Sequence, residues 1–196
     1  MINRDEIRAF IAIELPSDLK VLLMDFENRL KTPKSRCARW VDPKSIHLTL
    51  KFLGNVNMKL LDEIKRDVEV EVRKTRAFTL DVAGTGCFPN MLKPRVFWVG
   101  LRGETSILLD LQYRIDGATA KLGFAKESRP FTAHLTLARI KDDSSNLARS
   151  QFAETVKDAT LGTDYRMDVN EVSLIRSQLR PEGAVYTRLC EFKMPG

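Results

Sequence analysis

The chain has 196 residues, 43% of them apolar and 30% charged, with only 10 glycines and 8 prolines, a composition that excludes a disordered, collagen-like or membrane-embedded polypeptide. Its 32 basic and 26 acidic side chains leave a formal charge of +6, scattered without a long block of one sign, so charge alone is a weak pointer to a polyanionic partner. Three widely spaced cysteines (Cys37, Cys87, Cys190), no CxxC and an N-terminus without a signal-peptide core predict a soluble cytoplasmic protein with no membrane partner.

In chain order, Arg8–Leu15 (RAFIAIEL) predicts a buried strand stopped by Pro16. Ser17, a candidate N-cap, starts a helix to Leu30 with Leu19, Leu22, Leu23, Phe26 and Leu30 at helical spacing. A turn at Asp42-Pro43 leads into a strand over Ile46–Leu53, ended by Gly54. Met58–Arg76 predicts a charged amphipathic helix. Strands over Phe78–Val82 and Val96–Leu101 follow, separated by a loop holding Gly84, Gly86, Pro89 and Pro94. The order then repeats: a helix over Thr105–Leu122, a turn at Gly123, a strand over Phe131–Ile140 and a helix over Asn146–Lys157. Two last strands, Asp168–Ile175 and Ala184–Phe192, are joined through Pro181 and Gly183. The pattern βαβαβ followed by βαβαββ predicts an α+β protein, a single domain over 1–196 built of two similar lobes.

The only two histidines each open the same tetrapeptide: His47-Leu48-Thr49-Leu50 and His134-Leu135-Thr136-Leu137. At average residue usage the second match has a chance of roughly one in a thousand. Both copies sit in alternating runs. The two-residue strand period puts His47 and Thr49 on one face with Ile46, Leu48 and Leu50 toward the core, and likewise His134 and Thr136 opposite Leu135 and Leu137. If the lobes are related by an approximate two-fold axis, four polar groups surround one ligand.

Two imidazoles and two hydroxyls suit a phosphate. Hydroxyls donate to its non-bridging oxygens, while one neutral and one protonated imidazole provide a general base and a general acid. Two such groups without a metal are modest catalysts for an unactivated phosphodiester, so a strained five-membered cyclic phosphate fits better. A lone histidine on a strand is most often a packing residue, which the shared context of these two argues against. A zinc site lacks the HxH, HExxH or paired CxxC spacing it needs. Neither metal nor cofactor is expected.

These residues resemble the two-histidine phosphoesterase superfamily, specifically the RNA 2',3'-cyclic phosphodiesterases also called 2'-5' RNA ligases. The likeness extends to RAFIAIELP, RWVDPKSIHLTLKFLGNV, PRVFWVGL and RPFTAHLTLARI, nearly the whole chain. It implies a bilobal fold of two antiparallel sheets flanked by helices around a central cleft. It further implies metal-independent hydrolysis of a terminal 2',3'-cyclic phosphate to a 2'-phosphate, with reversible 2'-5' ligation in some members. His47 and His134 would be acid and base, and Thr49 and Thr136 would hold the phosphate. Phe52 looks like the residue that packs on the substrate base and Arg139 like a phosphate-contacting arginine. Strict alternation puts both on the faces opposite their histidines, so they reach the site only if a bulge or strand end re-aims them; otherwise they are structural. Ala133 departs from the proline often found before the second histidine, which removes a local restraint but no chemical group. Trp40 and Trp98 read as core, and Lys126 and Arg129 read equally as RNA-attracting or as solvated loop charges. The implied partner is RNA with 2',3'-cyclic phosphate ends, tRNA fragments among them, acted on by a monomer. Two alternatives use the same cleft: an RNA- or nucleotide-binding module without turnover, and hydrolysis of another cyclic phosphate such as ADP-ribose 1'',2''-cyclic phosphate.

Overall fold

A computed structural model describes residues 5–181 and 183–195. The first strand, β1 (Glu6–Glu14), ends before Pro16, which cannot continue a ladder, and α1 (Ser17–Leu30) follows. The helix matches the expected span, but Ser17 is already helical: Pro16 is the cap residue and no side chain caps it. A short edge strand, β2 (Ala38–Trp40), which the sequence pattern did not reveal, precedes β3 (His47–Asn57). β3 runs through Gly54 rather than ending there, because that residue takes a positive φ of 70° inside the strand. The expected helix over 58–76 is a single 3-10 turn, Met58–Leu60, followed by α2 (Leu61–Arg73). β4 (Phe78–Phe88) absorbs Gly84 and Gly86, which were expected in a loop, and β5 (Val96–Gly103) pairs with it. α3 (Thr105–Lys121), β6 (His134–Ile140) and α4 (Asn146–Val156) follow. The strand expected over 168–175 is two strands, β7 (Tyr165–Val169) and β8 (Glu171–Arg180), separated by Asn170; β9 (Gly183–Lys193) closes the chain.

The strands form two antiparallel sheets, ordered β3-β1-β8-β9 and β2-β6-β5-β4-β7. On the first sheet lie α2, against β8 and β9, and α3, against β3. The second carries α1 and α4, whose Phe26 and Phe152 reach Phe97 of β5 with ring centroids 6.4 and 5.9 Å away. Each lobe therefore borrows from the other half of the chain. β4 follows β3 in sequence yet sits in the second sheet, while β8 follows β7 of the second sheet yet sits in the first.

One continuous apolar cluster joins the layers, from Ile11, Leu19 and Leu48 to Phe97, Leu135 and Phe152. Large side chains buried this completely contribute about 1.5–3 kcal/mol each. The helix stripes explain the placement: α1 buries Leu19, Leu23, Phe26 and Leu30, and α2 buries Ile64, Val68 and Val72 at four-residue spacing. No helix among the described residues is long and apolar enough to cross a membrane.

Candidate active site

β3 and β6 open on their histidines and bury alternate residues: Leu48 and Leu50 in one, Leu135 and Leu137 in the other, with His47, Thr49, His134 and Thr136 half-buried on the opposite face. The alternation then breaks at the same place in both. Against β1, Thr49 pairs with Ala12 and Lys51 with Ile11, leaving Leu50 as an extra residue. Against β5, Thr136 pairs with Trp98 and Ala138 with Phe97, leaving Leu137 as the extra residue. A bulge shifts the pleat by one, so Phe52 and Arg139 return to the face of their histidines and are exposed there. The objection from strict alternation is thereby resolved by a bulge rather than a strand end.

The carbonyl of each extra residue still needs a donor. For Leu137 it is the backbone N–H of Val41 at 2.8 Å, just past β2. For Leu50 it is the side-chain amide of Gln112 on α3, at a longer 3.4 Å.

Each histidine is oriented from behind by a carbonyl two residues upstream: His47 Nδ1 lies 2.8 Å from the Ser45 oxygen and His134 Nδ1 2.7 Å from the Thr132 oxygen. A carbonyl can only accept, so both Nδ1 atoms carry the proton and both Nε2 atoms are left for chemistry. The His47 ring stacks on Phe10 at 4.5 Å and meets the edge of Tyr186 at 5.2 Å, while Phe10 and Tyr186 are themselves 5.2 Å apart. His134 instead meets Phe88 edge-on at 4.9 Å and Trp98 at 6.4 Å. Trp98, expected as core, thus forms part of the wall beside His134. Trp40 packs inward on Phe97 and Phe152.

Burial pushes the acidity of both imidazolium forms up, so both histidine pKa values fall below the ordinary 6.5. The Ser45 and Thr132 carbonyls work against this, as does the Glu14 carboxylate for His47 alone. Glu14 stands directly opposite His47 in the ladder. Although burial pushes its own pKa up, the Arg188 guanidinium 2.6 Å away and its neighbours hold it below the usual carboxylate value. The corresponding position opposite His134 is Gly100, where an added Cβ would lie 2.9 Å from the Ala83 carbonyl oxygen.

β3 and β6 approach one another within 8 Å between α carbons, bridging the two sheets. The Arg139 charge opposes protonation of both His47 and His134 and also favours ionisation of Tyr186, whose pKa burial raises. Lys126 and Arg129 are exposed on the loop before His134. Among the described residues no three His, Cys, Asp or Glu side chains gather into a metal-binding group. The sequence reading missed Phe10, Glu14 and Tyr186: Glu14 is brought to His47 by strand pairing, and Phe10 and Tyr186 by ring contacts on the face of the same sheet. The continuous apolar run Ala9–Ile13 marks Phe10 only as a core residue and gives no local signal of its place beside His47.

The family described as LigT like Phosphoesterase matches the chain twice, over residues 13–98 and again over 100–186, one match around each HxT strand. An RNA 2',3'-cyclic phosphodiesterase of Methanothermobacter thermautotrophicus is 32% identical over 189 residues, covering 96% of this chain and 100% of the relative. One from Thermotoga maritima is 29% identical, with 96% of each chain covered. Among solved structures, E. coli LigT complexed with NADP+ superposes with a TM-score of 0.80 at 26% identity, over 98% of this chain and 99% of that one. A crystal structure of a phosphoesterase gives the same TM-score and identity over 97% and 99%.

Proposed function

The chain belongs to the LigT-like phosphoesterase family, and on that premise we propose that it hydrolyses the 2',3'-cyclic phosphate at RNA ends to a 2'-phosphate. One imidazole Nε2 takes a proton from water as its oxygen attacks phosphorus. The P–O3' bond breaks, and the other imidazolium gives its Nε2 proton to the departing O3'. Thr49 and Thr136 donate to the non-bridging oxygens, Arg139 offsets the charge that builds on them, and Phe52 stacks on the terminal base. A 5'-hydroxyl in place of water, with the same two proton transfers, joins ends through a 2'-5' linkage. The scheme uses no metal or nucleotide cofactor, and relatives named RNA 2',3'-cyclic phosphodiesterase cover nearly the whole chain.

The observation that carries the reading is the matched pair of bulged strands, each presenting an imidazole with a free Nε2, a hydroxyl, and one further side chain to the same face. A binding module would be served as well by lysine or arginine at the two histidine positions. Incubation with a nucleoside 2',3'-cyclic phosphate in the presence of EDTA should yield the 2'-monophosphate. Recovery of unchanged substrate, or of the 3'-monophosphate, overturns the proposal.

A further inference from the structure

The residue just past each bulge differs sharply between the two strands. In β6 it is Ala138; in β3 it is Lys51, a lysine only 1% exposed. Its ammonium pairs with Asp116 of α3 at 2.5 Å and donates to the Ala125 carbonyl. Asp116 in turn accepts from the Glu127 backbone N–H at 3.3 Å. Ala125 and Glu127 begin the segment that leads to His134, which has no helix or strand before residue 134 and is exposed over residues 125–130. Phe124, Phe131 and Ala133 pack on the core at its two ends.

Burying a lysine costs several kcal/mol unless its charge and donors are matched, and both groups that match Lys51 bear on the start of this segment: Ala125 accepts from it directly, and Asp116 also holds the Glu127 N–H. The anchored segment also contains the Thr132 carbonyl that holds the proton on His134 Nδ1. We propose that Lys51, on the strand of the first histidine, is a positioning residue for the second. Through Asp116 and Ala125 it fixes the path of residues 125–133, hence the Thr132 carbonyl, and hence the tautomer and aim of the His134 ring. His47 takes its orientation from Ser45, outside this network, and serves as an internal control. The inference rests on the phosphodiesterase reading for its kinetic consequence but not for its structural one.

The test uses 15N-labelled full-length protein, whose two histidines give two sets of imidazole signals. In the wild type at a pH where both rings are neutral, both carry the proton on Nδ1. Breaking the pair with Lys51→Met alone leaves a buried carboxylate uncompensated. The deciding variant is therefore Lys51→Met/Asp116→Leu, which replaces both charges by apolar groups and tends to preserve stability. His134 should lose its Nδ1–H preference while His47 keeps it, and kcat on a nucleoside 2',3'-cyclic phosphate should fall about tenfold with little change in KM. An unchanged His134 tautomer in the folded double variant overturns the proposal, as does an equal shift of both rings, the mark of a general loosening. If the double variant does not fold, Asp116→Asn decides by the same tautomer measurement. That measurement needs no turnover, so wild-type protein inert on the cyclic nucleotide defeats the phosphodiesterase reading without touching this one.

Discussion

The two HxT strands present the same face but are supported differently. β3 and β6 share tetrapeptide, bulge position and the Nδ1 anchor to a carbonyl two residues back. Behind those shared features, β6 has its bulge carbonyl capped by backbone, an alanine after the bulge and a glycine opposite its histidine. β3 has a side-chain cap from Gln112, a buried Lys51 and a carboxylate opposite its histidine. The comparison teaches that the constraint falls on what points into the cleft. The scaffolding can differ so long as the same groups arrive with the same pleat.

The largest effect should come from the groups held in common. His47→Ala and His134→Ala should each cost two to four orders of magnitude in cyclic phosphate hydrolysis, with thermal unfolding near that of the wild type. A variant of either histidine with near-normal turnover would break the symmetry of roles. Next, the second lobe has a steric weak point with no counterpart among the described glycines of the first. A methyl at Gly86 would lie 2.4 Å from the Trp98 ring. Gly86→Ala should therefore destabilise the protein by about 1–3 kcal/mol in denaturant unfolding and displace Trp98 from its place beside His134.

Buried charge sharpens the contrast further. The first lobe pairs its buried lysine with Asp116, whereas α1 under the second sheet buries Glu27 with neither carboxylate oxygen hydrogen-bonded and only the Lys31 ammonium 3.3 Å away. Burial pushes Glu27 up to about 7 against attraction from Lys31. The native state then binds more protons than the unfolded chain between about pH 4.5 and 7, so Glu27 erodes stability as pH rises through that window. Glu27→Gln should raise the melting temperature at pH 8, by the equivalent of about 1–3 kcal/mol, and change little at pH 4. A smaller difference is expected at the bulges: Gln112→Leu should cost about 1 kcal/mol, while Val41→Ala leaves its backbone donor in place and should spare the bulge.

The finest comparison is electrostatic. In NMR titrations, Glu14→Gln should lower the His47 pKa and leave His134 unmoved, whereas Arg139→Gln should raise both, since Glu14 attracts one imidazolium and Arg139 repels two. Because burial holds both values below 6.5, the kcat/KM profile of the free enzyme should be bell-shaped with its maximum on the acid side of that value.

Much of this was legible in the chain itself. The helical spacing of Leu19, Leu23 and Phe26 located α1, with its cap one residue earlier than expected, and the repeat of HLTL located both histidines and the faces they share. Local period failed where tertiary context intervened. Gly86 reads as a loop breaker but belongs to a strand because the Trp98 indole occupies the space where a side chain would stand. Asn170 separates β7 from β8 within a stretch that holds neither Gly nor Pro to mark a turn. Phe52 and Arg139 could not be placed from alternation, since a bulge adds one residue without any compositional mark. Tyr186 and Lys51 acquire meaning only through partners far away in sequence, at His47 and Asp116.

The exchange of β4 and β8 between sheets, together with α1 and α3 lying on the layer opposite their preceding strands, has a consequence for any attempt to divide the molecule. A half-length polypeptide ending near residue 98 would own fragments of two unfinished sheets and could complete neither alone. Only the complementary half, which carries β6, β7, β8 and β9, could complete them. The cleft is accordingly spanned by woven backbone rather than by a tether, which limits how far its walls can swing apart.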